Sequence, residues 1–192
     1  MLIEFYGLPG SGKTTVAKKM AQDSDGFIYL HTSDRGEIFR LFPSFFIQHP
    51  FISLFWIKEV FFCSPLSLCL IRYKMHRVLV SLIQYQKADF SGAKNVVIDE
   101  GALQRILSIY EDAQDMSKIK RCIANVPKVD LIAITNWKGN EFKRHISDRV
   151  APQSRNLNSW MRAARENDKL VKEALSSSGR KVVYVAGKSF KI

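Results

Sequence analysis

The stretch Leu2–Met20, LIEFYGLPGSGKTTVAKKM, decides how the rest of the chain is read. Leu2 to Tyr6 is a compact apolar run of strand length. Thr14 to Ala21 has helical spacing, with Val16, Ala17 and Met20 on one side. Between them lies Gly7-Leu8-Pro9-Gly10-Ser11-Gly12-Lys13-Thr14, which matches G-x-x-x-x-G-K-[ST] without a gap. Glycines let a backbone come close to a ligand. Successive N–H groups then face one concavity at the positive end of a helix dipole, and that makes an anion cradle. In this reading the residues from Gly7 to Thr15, namely Gly7, Leu8, Pro9, Gly10, Ser11, Gly12, Lys13, Thr14 and Thr15, enclose the phosphates of a nucleoside triphosphate such as ATP. Lys13 reaches the β- and γ-phosphates, and the Thr14 hydroxyl is a ligand for Mg²⁺. A glycine-rich turn alone would not require Lys and Thr at these two positions.

Outward from that loop, four more apolar runs read as strands: Phe27–Leu30, Asn95–Ile98, Val129–Ile134 and Lys181–Val185. Each is short and continuously apolar, as in strands covered on both faces. Arg77–Lys87 and Leu157–Leu175 between them carry helical spacing. Strands alternating with helices predict an α/β fold, a three-layer parallel sheet of about five strands flanked by helices. No internal repeat or linker divides the 192 residues, so one domain over 1–192 is expected.

The segment NVVIDEG, 95–101, ends the third strand in Asp99 and Glu100. Carboxylates at the carboxyl end of a parallel strand lie where open α/β sheets bind ligands. Asp99 suits the Mg²⁺ shell, directly or through water. Glu100 has two readings of equal standing: it orients a water or an acceptor, or it helps to cap the next helix.

From Phe39 to Phe62 the chain holds eight of its thirteen phenylalanines, with Trp56 among them. Lys58 and Glu59 interrupt this stretch, Pro43, Pro50 and Pro65 are expected to break it, and no transmembrane span is expected of it. It reads first as an aromatic-rich helical insert packed on the core. The sharper reading is an apolar acceptor pocket, or a surface for a homodimer, another apolar partner or a lipid-linked substrate.

The formal net charge is +11, and much of the excess lies beyond residue 138, in Lys138, Lys143, Arg144, Arg149, Arg155, Arg162 and Arg165. Such a field favours an anionic partner. Nucleic acid is the weaker choice, because aromatic and basic residues fall in separate segments and do not interleave. The start of the chain does not read as a signal peptide. Three cysteines without metal spacing agree with a reduced, cytoplasmic compartment. His31, His49, His76 and His145 have no metal-site spacing either.

With the loop at Gly7–Thr14 and a chain of this size, the sequence resembles the P-loop kinases of nucleotides and small molecules, such as adenylate, thymidylate and shikimate kinases. The resemblance implies transfer of the γ-phosphoryl group of Mg-ATP to a small-molecule acceptor, a nucleoside, nucleotide or sugar. It implies an acceptor region over about 36–90. In LHTSDRGEIFR, Asp34 would contact an acceptor hydroxyl or base and Arg35 or Arg40 an acceptor anion, although Thr-Ser-Asp is also an ordinary helix cap. It implies a short lid over about 138–156, NEFKRHISDRVAPQSRN, in which Arg144, Arg149 and Arg155 would close over the phosphoryl group. Gly187 and Lys188, after the fifth strand, would border the adenine. Asp99-Glu100-Gly101 departs from the Asp-Arg pair of thymidylate kinases, and the aromatic insert is atypical. Those departures leave the acceptor open, and with it the alternative of an NTPase whose Glu100 positions water.

Overall fold

The computed structural model describes residues 1–31, 35–64, 67–136 and 157–186. Five strands, β1 (Leu2–Tyr6), β2 (Phe27–Leu30), β3 (Asn95–Ile98), β4 (Leu131–Asn136) and β5 (Val182–Ala186), form one sheet in the order β2-β3-β1-β4-β5. Every pairing is parallel, with Ile3 opposite Val97 on one side of β1 and Leu131 on the other. The fourth and fifth strands start two and one residues later than the apolar runs predict. The helices are α1 (Lys13–Asp23), α2 (Arg35–Gln48), α3 (Pro50–Phe62), α4 (Leu68–Phe90), α5 (Ala102–Ile109), α6 (Met116–Ala124) and α7 (Leu157–Ser176). The sheet is flanked by helices on both faces, the three-layer α/β arrangement expected from the sequence.

Side chains alternate across a strand, and here the alternation builds two cores. Ile3, Phe5, Val97, Leu131, Ala133 and Val185 point to one face and pack with Val16, Ala17 and Met20 of α1. Tyr6, Val96, Ile98, Ile132 and Ile134 point to the other and pack with residues of α3 to α7. Central β1 is buried on both faces, so its residues 3–6 are all inaccessible.

The aromatic segment is helical, but its breaks differ from the prediction. Pro43 lies inside α2, where it forgoes one backbone hydrogen bond without ending the helix. The real break is at His49, with Pro50 in the first turn of α3, a position that needs no intrahelical N–H bond. The two helices meet there with a bend of 118°. Among the described residues no single helix is long and apolar enough to cross a membrane, and only this bent pair passes on length and composition. One side of the pair is packed inward: Phe45, Trp56 and Val60 are fully buried, and Trp56 Nε1 donates to the Asn125 carbonyl at 2.8 Å.

Trp56→Ala should therefore lower the unfolding free energy by about 3–5 kcal/mol. Phe51→Ala, one and a half turns earlier on the exposed side, should change it by less than about 0.5 kcal/mol. Urea unfolding of the two variants checks this; equal losses would contradict the two-sided packing.

Candidate active site

The loop between β1 and α1 is held from several directions. Gly12 caps α1 with φ 79°, in the left-handed region that other residues rarely enter. Gly7 is fixed by crowding: a Cβ there would lie 2.6 Å from Thr135 Oγ1 and 2.9 Å from Ser11 Oγ. Those two hydroxyls are themselves bonded at 2.7 Å, so the end of β4 braces the loop. The Gly7 N–H donates to Gln104 Oε1 of α5 at 3.4 Å. Lys13 is buried, and its ammonium donates to the Gly7 and Leu8 carbonyls, each at 3.0 Å. Burial pushes its pKa down to about 8, against the opposing pull of Glu100 and Asp99. Thr15, by contrast, is exposed on the first turn of α1.

β3 delivers Asp99 to the same place. Thr14 Oγ1 donates to Asp99 Oδ2 at 2.6 Å. Asp99 is buried, and its Oδ1 has no hydrogen-bond partner among the described residues. A hydroxyl and a carboxylate with a spare oxygen are hard donors suited to Mg²⁺. No cluster of three or more acidic, His or Cys side chains that could cage a metal occurs among the described residues. Thr14 and Asp99 thus fit an ion that shares its remaining positions with water and phosphate oxygens, as Mg²⁺ usually does.

Glu100 turns toward the arginines. Its Oε2 accepts from Arg105 at 2.9 Å and lies 3.3 Å from a nitrogen of Arg77. Burial disfavours its charge, but Arg105, Arg77 and Lys13 outweigh that and hold its pKa near about 2. Helix α5 has Gly101 at its N-cap, which offers no side-chain cap, and the Glu100 carboxylate is engaged with Arg105 and Arg77. In the opening turn of α5, Glu4 Oε1 of β1 accepts from the Leu103 N–H at 3.0 Å, and the Tyr85 hydroxyl accepts from the Ala102 N–H at 2.8 Å. Tyr85 in turn donates to Glu4 Oε2 at 2.9 Å. A side chain at Gly101 would collide with both groups, with its Cβ 2.6 Å from the Tyr85 hydroxyl.

Of the residues singled out in the sequence, Gly7 to Thr14, Asp99 and Glu100 converge on one end of the sheet. Asp34, Arg144, Arg149, Arg155, Gly187 and Lys188 lie outside the described residues. Sequence reading missed Arg77, Arg105 and Glu4. Arg105 carried a faint signal, a basic residue one turn into the helix that follows Asp99-Glu100.

This architecture is similar to solved structures of nucleotide-handling kinases. One is deoxyadenosine kinase from M. mycoides with bound dATP, at TM-score 0.53 and 12% identity over 97% of this chain and 90% of that one. The same enzyme with product dCMP and a flexible dCDP bound gives a TM-score of 0.51 at 12% identity, with the same coverage. Another is thymidylate kinase from Candida albicans, at TM-score 0.53 and 16% identity over 97% and 84% of the two chains. No protein-family model matches the sequence, and no curated protein does. The likeness establishes a P-loop nucleotide kinase-like fold.

The buried Glu4 gives the scaffold a pH dependence. Desolvation raises its folded pKa from 4.5 to about 7, against the lowering effect of the Tyr85 and Leu103 hydrogen bonds. Because the folded state binds the proton more tightly, this group's stabilisation is complete below about pH 4.5 and is lost as pH rises through about 7. The loss is on the order of 3 kcal/mol. Glu4→Gln should flatten that fall in urea unfolding measured across the same window; an unchanged pH profile would remove Glu4 as its source.

Proposed function

We propose that this chain is a kinase that uses Mg-ATP to phosphorylate a small-molecule acceptor of nucleoside, nucleotide or sugar type. The observation that carries the reading is the convergence of Lys13, the loop amides and the Thr14–Asp99 pair at one end of a parallel sheet. Phosphoryl transfer leaves little covalent chemistry to the protein, and its transition state spreads negative charge over the γ-phosphoryl oxygens. Lys13 and the loop N–H groups would meet that charge in a fixed, desolvated setting. Mg²⁺, held by Thr14 and Asp99, would neutralise charge on the β- and γ-phosphate oxygens. Once phosphates arrive, Lys13 exchanges its carbonyl partners for them, and the added negative charge favours its protonated form.

On the acceptor side, Glu100 is a poor base, since its pKa is held near about 2. Its place between Arg77 and Arg105 supports an anchoring role, fixing two guanidinium groups beside the phosphate loop. Asp34 is then the first choice to accept a proton from an acceptor hydroxyl. Arg144, Arg149 and Arg155 would close over the transferring group and exclude water. Gly187 and Lys188 would border the adenine. The fold neighbours were solved with dATP and with dCMP and dCDP, which puts nucleosides and nucleotides first among acceptors to assay.

The test is a phosphotransfer screen with Mg-ATP over nucleosides, nucleotides, sugars and sugar phosphates. Transfer to one of these is expected, and Lys13→Ala should lower it on the order of 100- to 1,000-fold. Asp99→Asn should raise the Mg²⁺ concentration needed for half-maximal rate. Phosphate release that no acceptor alters would replace the kinase by a hydrolase. Full activity in Lys13→Ala would refute the site.

A further inference from the structure

Helix α3 carries apolar residues around its whole circumference. Its inner side is accounted for by the core, but its outer side is not. Phe51, Leu54, Lys58 and Phe61 follow each other at helical spacing on the exposed face, with Phe62 beside them. Phe39, Pro43 and Ile47 make the equivalent stripe on α2. The six large apolar side chains, Phe39, Ile47, Phe51, Leu54, Phe61 and Phe62, are each between 53% and 83% exposed. A hairpin that only roofs a core in water would turn polar residues outward.

Within residues 36–72 the exposed charges have one sign. The only acids between residues 36 and 72 are Glu37 and Glu59, and both are paired. Glu37 meets Lys87 at 2.8 Å, and buried Glu59 meets Lys118 at 2.8 Å and Arg121 at 3.3 Å. The exposed charged residues of the same stretch are Arg40, Lys58 and Arg72, all basic. Lys58 lies over the Phe62 ring, 5.5 Å from its centroid.

We propose that the outer face of the α2–α3 hairpin docks on an anionic lipid surface. The exposed phenylalanines and aliphatic residues enter the interface, and Arg40 and Lys58 meet the headgroups. Apolar side chains interleaved with cations are what such a surface binds. The hairpin lies on the membrane and does not cross it, because Phe45, Trp56 and Val60 on its inner side are committed to the core. A second copy of this chain is a poorer occupant. A two-fold contact opposes each patch to itself, bringing these cations together on proteins that each carry +11.

Flotation of the full chain with phosphatidylcholine vesicles, with and without phosphatidylserine, tests this without any nucleotide, so its outcome is independent of the kinase reading. Binding to the phosphatidylserine vesicles is expected, with much weaker binding to the neutral ones. The double variant Phe51→Ser/Phe62→Ser should weaken it on the order of a hundredfold. Arg40→Glu and Lys58→Glu should each weaken it on the order of tenfold. Thermal melts followed by circular dichroism should stay unchanged, since all four side chains are exposed. Three results overturn the proposal: no binding by the wild type, binding that the phenylalanine pair does not alter, or a wild-type dimer in equilibrium sedimentation that the same pair dissociates.

Discussion

Thr14 donates to Asp99 across 2.6 Å, and the rest of the site depends on what makes that contact possible. The two residues are 85 positions apart. They meet because β1 and β3 run parallel and adjacent, with Leu2, Ile3 and Glu4 opposite Val96, Val97 and Ile98. A parallel pairing sends both strands out at the same end of the sheet, so the loop after one and the acids after the other face a common space. Parallel strands also need crossovers, which place helices on both faces and demand apolar residues on both sides of β1. The apolar pentapeptide and the phosphate loop that follows it are two consequences of one topology.

That topology explains what could be read in advance. Strands β1, β2 and β3 were legible because each is a compact apolar run with a sharp polar or glycine boundary. β4 was displaced by two residues because Val129, outside the strand, is as apolar as the strand itself, while Thr135 and Asn136 inside it are polar. Thr135 is polar because its hydroxyl braces the loop through Ser11. Pro43 reads as a stop in the sequence, but a helix held by tertiary packing on α4 tolerates one missing bond. Arg77 and Glu4 carried no local signal. Their meaning is set by partners 23 and 99 residues away, Glu100 and Leu103.

The charged groups of the site are driven apart by their surroundings. Glu4 and Lys13 are both governed by desolvation, and each moves toward its neutral form, to about 7 and about 8. Glu100 feels desolvation too, but two guanidinium groups and Lys13 reverse it. The difference is one of numbers of partners. Glu4 has hydrogen-bond donors beside it and feels Arg180 and Arg105 only as the smallest influences, whereas Glu100 sits between Arg77 and fully buried Arg105. Arg105 in turn is kept from an uncompensated charge in the interior by Glu100, so removing Glu100 would strand Arg105, whereas Glu100 also has Arg77.

Helix α4 joins these parts. Along its 23 residues, Arg77, Ser81 and Tyr85 face the site: the first pairs with Glu100, the second donates to the Glu100 carbonyl at 2.8 Å, and the third holds Glu4 and the start of α5. Val80 and Ile83 face the other way and pack with Ile38 and Leu41 of α2. Lys74, nearer its start, is buried and bonded to the Ile109 carbonyl and the Glu111 carboxylate. A rigid helix so fixed along both sides cannot shift under α2 without moving the residues that position Glu100 and α5. The aromatic hairpin and the site therefore share α4 as a common support, packed by α2 on one side and holding Glu100 and α5 on the other. Whatever rests on the outer face of α2 and α3 bears on the helix that positions Glu100 and the start of α5.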